Sequence, residues 1–139
     1  MDFTKQIITK NAKETAEVGE RLAFDLKPSI ICLYGDLGSG KTTFTQGIAR
    51  GLGITTRLLS PTFIIVRRYE IPNSEIKLYH IDLYRLENFE GLGLQEIFSD
   101  RQAIVVIEWA EKLGGALPKK RTDIYFSTLP DEKHTITIK

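Results

Sequence analysis

The chain has a single cysteine, no long apolar run, no internal repeat, no low-complexity tract and almost no net charge. Each shortage removes a class of protein. One cysteine, Cys32, cannot close an internal disulfide, which rules out a disulfide scaffold and suits a reducing compartment. No segment approaches the roughly 18 apolar residues of a membrane helix, and the first residues are mixed and polar rather than like a signal peptide. A cytoplasmic location with no membrane partner is therefore expected. A formal net charge of +1 supplies no electrostatic excess for holding a nucleic acid unaided, so any RNA role needs a partner or a local patch. With 139 residues, 42% of them hydrophobic, the chain can build one core and is too short for two ordinary domains. One domain spanning residues 1–139 is expected.

What the chain does have is a glycine-rich stretch, Gly35-Asp36-Leu37-Gly38-Ser39-Gly40-Lys41-Thr42, which fits G-x-x-x-x-G-K-[ST]. The context matches too. Ile30 to Tyr34 before it is a short apolar run suited to a buried strand, and Phe44, Ile48 and Leu52 after it recur at helical spacing. A triphosphate is wrapped only by backbone N–H groups brought close to its oxygens, and glycines allow that approach. The helix start adds unpaired N–H groups and the positive end of its dipole. The Lys41 ammonium would reach the outer phosphates and the Thr42 hydroxyl would ligate Mg2+. Asp36, Leu37, Gly38, Ser39, Gly40 and Thr43 complete the expected nucleotide-binding set.

Residues Thr4 to Thr9 read as a strand, and Asn11 with Glu14 three residues on reads as a capping box that opens a helix from Ala12 to Asp25. Val18, Gly19, Leu22 and Leu26 mark its buried stripe, while Glu17, Glu20 and Arg21 form a solvated face. Ile64 to Glu70 and Ile76 to Leu83, separated by Pro72-Asn73-Ser74, suggest an antiparallel hairpin. Leu92, Gln95, Glu96 and Phe98 suggest a short helix. Ala103 to Trp109 is a second continuous apolar run, β-branched, and reads as a central strand buried on both faces that ends in the carboxylate of Glu108. Ile124 and Phe126, then Ile136 and Ile138, alternate with polar residues around Pro130-Asp131-Glu132, which predicts a terminal hairpin at a sheet edge. The expected fold is α/β: a three-layer P-loop NTPase domain with a mixed, largely parallel sheet and a C-terminal antiparallel hairpin.

Magnesium in such sites is held by the loop hydroxyl and an acid ending a neighbouring strand, here Thr42 and Glu108. Glutamate in place of the commoner aspartate leaves three roles open: direct ligation, action through a water, or orientation of the attacking water. Asp82, ending another predicted strand, would bind a magnesium water or act as base, or be a hairpin acid without a role. Arg85, Arg67, Arg68 and Arg101 are equal candidates for stabilising transition-state charge. Thr62, in Ser60-Pro61-Thr62-Phe63, is a candidate γ-phosphate sensor. Trp109 reads either as a reporter of nucleotide binding or as a core tryptophan, and His80 as structural.

Four segments in order, GDLGSGKTTF, SPTF from Ser60, HIDLYRL from His80 and IEWAEKL from Ile107, resemble the TsaE (formerly YjeE) family over roughly residues 3 to 118. The resemblance implies a bacterial P-loop ATPase required for threonylcarbamoyladenosine (t6A) in tRNA. Its partners in that family are TsaD and TsaB, which transfer the threonylcarbamoyl group to adenosine 37 of tRNAs reading codons that begin with A, and ATP hydrolysis resets that machine. The resemblance carries phosphate and magnesium roles to Lys41 and Thr42, the second magnesium position to Glu108, and switch-like segments to Thr62 and Asp82. It also implies that the base lies between Asn11 and Lys133, although His134 stands where the family pattern has arginine. Contact with tRNA is expected through the complex.

Other classes fit less well. A GTPase needs an N-K-x-D segment, which is missing, and a small-molecule kinase needs an acceptor pocket and an arginine-rich lid for which little chain remains. A scaffold that senses ATP or ADP without needing hydrolysis uses the same Lys41, Thr42 and Glu108 and is not separated by sequence.

Overall fold

The structure is a computed structural model, and it describes residues 5–56, 66–85, 87–88 and 92–139. The Ser60-Pro61-Thr62-Phe63 segment, and with it Thr62, lies outside the described residues. Among the described residues seven strands form one sheet: β1 (Lys5–Thr9), β2 (Ser29–Tyr34), β3 (Val66–Glu70), β4 (Lys77–Asp82), β5 (Ala103–Glu108), β6 (Thr122–Thr128) and β7 (His134–Ile138). Their spatial order is β1-β7-β6-β2-β5-β4-β3. The inner strands β6, β2, β5 and β4 run parallel, and each flank is antiparallel, β3 on β4 at one side and β7 and β1 beyond β6 at the other. This is the mixed α/β sheet expected from the sequence.

Helices α1 (Ala12–Ala23) and α2 (Lys41–Gly51) cover one face, where Val18, Phe44 and Ile48 pack on Ile31, Leu33, Ile104, Val106 and Ile124. The other face carries α3 (Leu94–Phe98) and a 3₁₀ segment, Ala110–Ala116, which bury Cys32, Ile81, Val105 and Ile107. Strand β5 is buried along its whole length because it is covered on both sides. Cys32 is fully buried, and burial pushes its thiol up to about 11, the behaviour of a small core residue.

The Asn11 cap forms as the spacing predicts, while the reciprocal bond from Glu14 goes to the residue before the cap. Asn11 Oδ1 accepts from the Glu14 N–H at 2.9 Å, and Glu14 Oε1 accepts from the Lys10 N–H at 2.9 Å. Glu20 is not merely solvated, since its carboxylate pairs with Arg50 of α2 at 2.8 Å. The terminal hairpin also differs from expectation. Strand β7 is not the sheet edge, because β1 pairs with it antiparallel, Ile7 opposite Ile136, and takes the outer position. A lone alternating pair does not reveal which further strand will satisfy its free N–H and C=O groups.

The two helices over the phosphate loop approach closely because glycine lines their contact. A Cβ on Gly47 would stand 2.0 Å from the Ala16 carbonyl oxygen, and one on Gly19 would stand 2.2 Å from that of Phe44. Backbone atoms cannot yield as a flexible side chain would, so either substitution must push α1 and α2 apart. Gly47→Ala is expected to lower unfolding stability by about 1–3 kcal/mol in denaturant titrations. Gly115→Ala, where nothing lies within 4 Å, should leave it unchanged.

Candidate nucleotide site

The parallel register decides which residues meet. Leu33 on β2 pairs with Glu108 on β5, and Glu108 pairs with Asp82 on β4, so the loop that follows β2 and the two acids sit at the same C-terminal end of the sheet. A cleft of about 430 Å³ opens there. It is lined by Asp36, Leu37, Gly38, Ser39, Gly40, Lys41, Thr42 and Thr43 from the loop and α2, with Asp82, Tyr84, Arg85, Glu108 and Trp109 opposite, and Ala12, Thr15 and His134 at the side. Gly40 takes φ 108 as the residue before α2, a left-handed backbone that favours glycine, and no side chain caps the helix. The first helical bond runs from the Phe44 N–H to the Gly40 carbonyl at 2.9 Å. The preceding N–H groups of α2 therefore have no helical partner and face an anion-sized opening.

Lys41 is 5% exposed. Its ammonium donates to the Gly35 carbonyl and, at 3.3 Å, to the Asp36 carbonyl, and it lies 3.9 Å from the centre of the Trp109 ring. Burial lowers its pKa, opposed by the charges of Glu108, Glu111, Asp82 and Asp36. This cation rests on neutral carbonyls and an aromatic face, without a salt bridge to an acid among the described residues. A polyphosphate in the cleft would give it stronger acceptors.

Glu108 is 2% exposed at the end of β5, and both its oxygens are engaged. Thr42 Oγ1 donates to Oε1 at 2.8 Å, and His80 Nε2 lies 2.5 Å from Oε2. Among the described residues no group of three or more His, Cys, Asp or Glu side chains forms a metal cage. The oxygen pair of Thr42 and Glu108 does fit magnesium, which takes few protein ligands and fills its shell with water and phosphate oxygens. Asp82 is half-buried, and its Oδ1 accepts from the Tyr84 N–H at 3.0 Å. Burial pushes its carboxyl above the usual carboxylate range, the Tyr84 hydrogen bond opposing and the Glu108 charge reinforcing the shift.

The remaining candidates separate. Arg85 alone of the four arginines lines the cleft; Arg68 pairs with Glu70 at 2.8 Å, Arg67 stands opposite His80 in the β3–β4 ladder, and Arg101 borders a groove with Ser29 and Thr122 at the other end of the sheet. Trp109 has φ 60 directly after Glu108 and packs its ring between Lys41 and Tyr84, 5.0 Å from the tyrosine ring. A left-handed non-glycine residue at a cleft is the kind of strain that binding sites hold. Asn11 caps α1 and Lys133 pairs with Asp131 at 3.3 Å; neither lines the cleft, whereas Thr15 and His134 do. The His80 contact with Glu108 leaves no local signal in the sequence, because it depends on the pairing of β4 with β5.

A glycine-rich loop between a parallel strand and a helix, with acids closing the neighbouring strands, defines the P-loop NTPase class. The profile of the family described as "Threonylcarbamoyl adenosine biosynthesis protein TsaE" matches residues 9–136, past Pro118 and through most of the C-terminal hairpin. The chain is 42% identical over 131 residues to the tRNA threonylcarbamoyladenosine biosynthesis protein TsaE of Bacillus subtilis (strain 168), covering 93% of this chain and 81% of that one. To the protein of the same name from Treponema pallidum (strain Nichols) it is 36% identical over 135 residues, 94% of this chain and 97% of that one. A crystal structure of Bacillus subtilis YdiB superposes with a TM-score of 0.84 at 35% identity, over 99% of this chain and 86% of that one. The chain belongs to the TsaE family.

Since folding raises the Asp82 pKa, the folded state holds that proton where the unfolded state has lost it. Stability from this group is greatest below the unfolded carboxylate value, about 4, and falls as pH rises through the folded one. Asp82→Asn, which keeps an oxygen for the Tyr84 N–H, should raise Tm at pH 7, and the gain should vanish below about pH 4 in a thermal melt series.

Proposed function

We propose that this chain is a Mg2+-dependent, cytoplasmic ATP-binding protein and ATP hydrolase that supports t6A formation at position 37 of tRNA, its hydrolysis coupled to cycling of a TsaD–TsaB complex. Family membership supports the pathway. The observation that carries the chemistry is the convergence of an uncapped helix start, a buried Lys41 without an acid partner among the described residues, and the Thr42–Glu108 oxygen pair in one cleft.

In this reading the loop N–H groups and Lys41 bind the β- and γ-phosphates, and Lys41 exchanges the Gly35 and Asp36 carbonyls for phosphate oxygens. Thr42 and Glu108 hold the metal, which when bound neutralises phosphate charge and polarises the transferred group. Asp82, with its raised carboxyl pKa and its place beside Glu108, would accept a proton from the attacking water or hydrogen-bond a water at the cation site. Arg85, which lines the cleft where Arg67, Arg68 and Arg101 do not, is the arginine placed to meet charge developing on the γ-phosphoryl group. Its exposed position suits a group that is ordered only when a partner docks.

Lys41→Ala should weaken ATP binding by about 10- to 100-fold, the loss expected for a charge-assisted contact. Trp109 is the sole tryptophan, and its stacking on Lys41 makes its fluorescence a direct readout of that binding. Glu108→Gln should change ATP affinity far less and lower kcat by about 10²-fold or more. If t6A formation continues over many turnovers with Glu108→Gln, hydrolysis is not required and the chain acts as a nucleotide-sensing scaffold.

Hydrolysis by the chain alone should be slow, and a TsaD–TsaB preparation with tRNA should accelerate it; an arginine finger supplied by a partner gives on the order of 10³–10⁵ in related phosphoryl transfer. Phosphate release measured with and without those partners checks this.

A further inference from the structure

We infer that His80 is a positioning residue for Glu108, fixing the carboxylate plane so that one oxygen is presented to the Thr42 side of the cleft. The inference deepens the ATPase reading and rests on it for its consequence, though not for its geometry.

His80 is fully buried in β4, away from the cleft lining, so it does not touch a ligand there. Its Nε2 is 2.5 Å from Glu108 Oε2, while Thr42 Oγ1 is 2.8 Å from Oε1. The other ring nitrogen, Nδ1, is buried without a hydrogen-bond partner among the described residues. A proton on Nδ1 would be stranded, and one on Nε2 meets a carboxylate oxygen, so the ring is the Nε2–H tautomer donating to Glu108.

This arrangement answers a problem raised by the glutamate itself. Glutamate has one more rotatable bond than aspartate, so immobilising it costs more side-chain entropy. A carboxylate held from one side only could swing its outer oxygen away from Thr42. The imidazole behind it removes that freedom, as partners behind metal ligands do elsewhere. The pairing of β4 and β5 supplies the placement, because Asp82 and Glu108 are register partners and His80 lies two residues earlier on the same face of β4.

The chain has two histidines, so the imidazole signals are few enough to assign by substituting His134. In long-range ¹H–¹⁵N spectra of the ligand-free protein, His80 should show an Nε2–H proton and a bare Nδ1, with the proton signal moving upfield in Glu108→Leu. A proton on Nδ1, or a signal indifferent to Glu108→Leu, overturns the inference whatever the protein binds. The consequence is tested in the folded variants His80→Leu, which removes the donor, and His80→Gln, whose amide N–H reaches toward the Nε2 position. Binding of a fluorescent ATP analogue in EDTA should stay within about twofold of wild type in both, since neither touches the phosphate loop. The Mg2+ concentration giving half-maximal hydrolysis should rise, and kcat fall, by a combined factor of about 10 to 100 in His80→Leu, with most of it restored in His80→Gln. Equal effects of the two variants, or none in His80→Leu, overturn positioning. Failure of the wild-type chain to bind ATP would instead overturn the nucleotide reading, and the imidazole spectrum would still decide the role of His80.

Discussion

The parallel pairing of β5 with both β2 and β4 is the constraint on which the site depends. It places the C-terminal ends of three strands side by side, so that the loop leaving β2, the Glu108 carboxylate and the Asp82 carboxylate share one opening. A shift of register by one residue would turn Glu108 to the opposite face of the sheet, toward the layer containing Cys32 and Ile107. The continuous apolar run of β5 resists such a shift only weakly, because both its faces are buried and either would accept valine or isoleucine. Its neighbours set the register: Thr42 at the start of α2 and His80 in β4 both engage the Glu108 oxygens.

The cleft gathers groups that folding alone does not favour. Lys41 and Asp82 both have pKa values displaced by burial toward the uncharged form, and the α2 N–H groups are left without a cap. Each displacement is a cost in the ligand-free protein that a polyanion and a divalent cation would relieve, the anion at Lys41 and the helix start, the cation beside the acids. Trp109 adds backbone strain at the same place. Elsewhere the chain follows ordinary rules: α1 is capped by Asn11 and Glu14, the strands alternate or are fully apolar according to their cover, and Gly19 and Gly47 let the two helices over the loop meet backbone to backbone. Local rules are thus broken mainly where the proposed chemistry sits.

Much of this was legible in the amino-acid order because it is local. The loop pattern, the apolar run before it and the helical spacing after it are all contained in residues 30–52, and each element's backbone preference is read from its own side chains. The same holds for the carboxylate that ends β5, for the hairpin turning at Asn73, whose φ is 59, and for the β6–β7 pair. These features need no knowledge of what lies across the sheet.

What the tertiary structure alone decided is which distant residues share a hydrogen bond or a cleft. Strand order placed β1 outside β7, brought Thr15 and His134 to the cleft where Asn11 and Lys133 were expected, and set Arg85 apart from Arg67, Arg68 and Arg101. It also made His80 a partner of Glu108, residues 28 apart in the chain. Such contacts follow from hydrogen-bond register between strands, which depends on the joint burial of the strands and the segments that cover them rather than on any local run. By itself the sequence determined the phosphate loop, the helix behind it and the acids at the strand ends, because backbone preference and apolar spacing act over a few residues; only the assembled sheet determined which acid meets which donor.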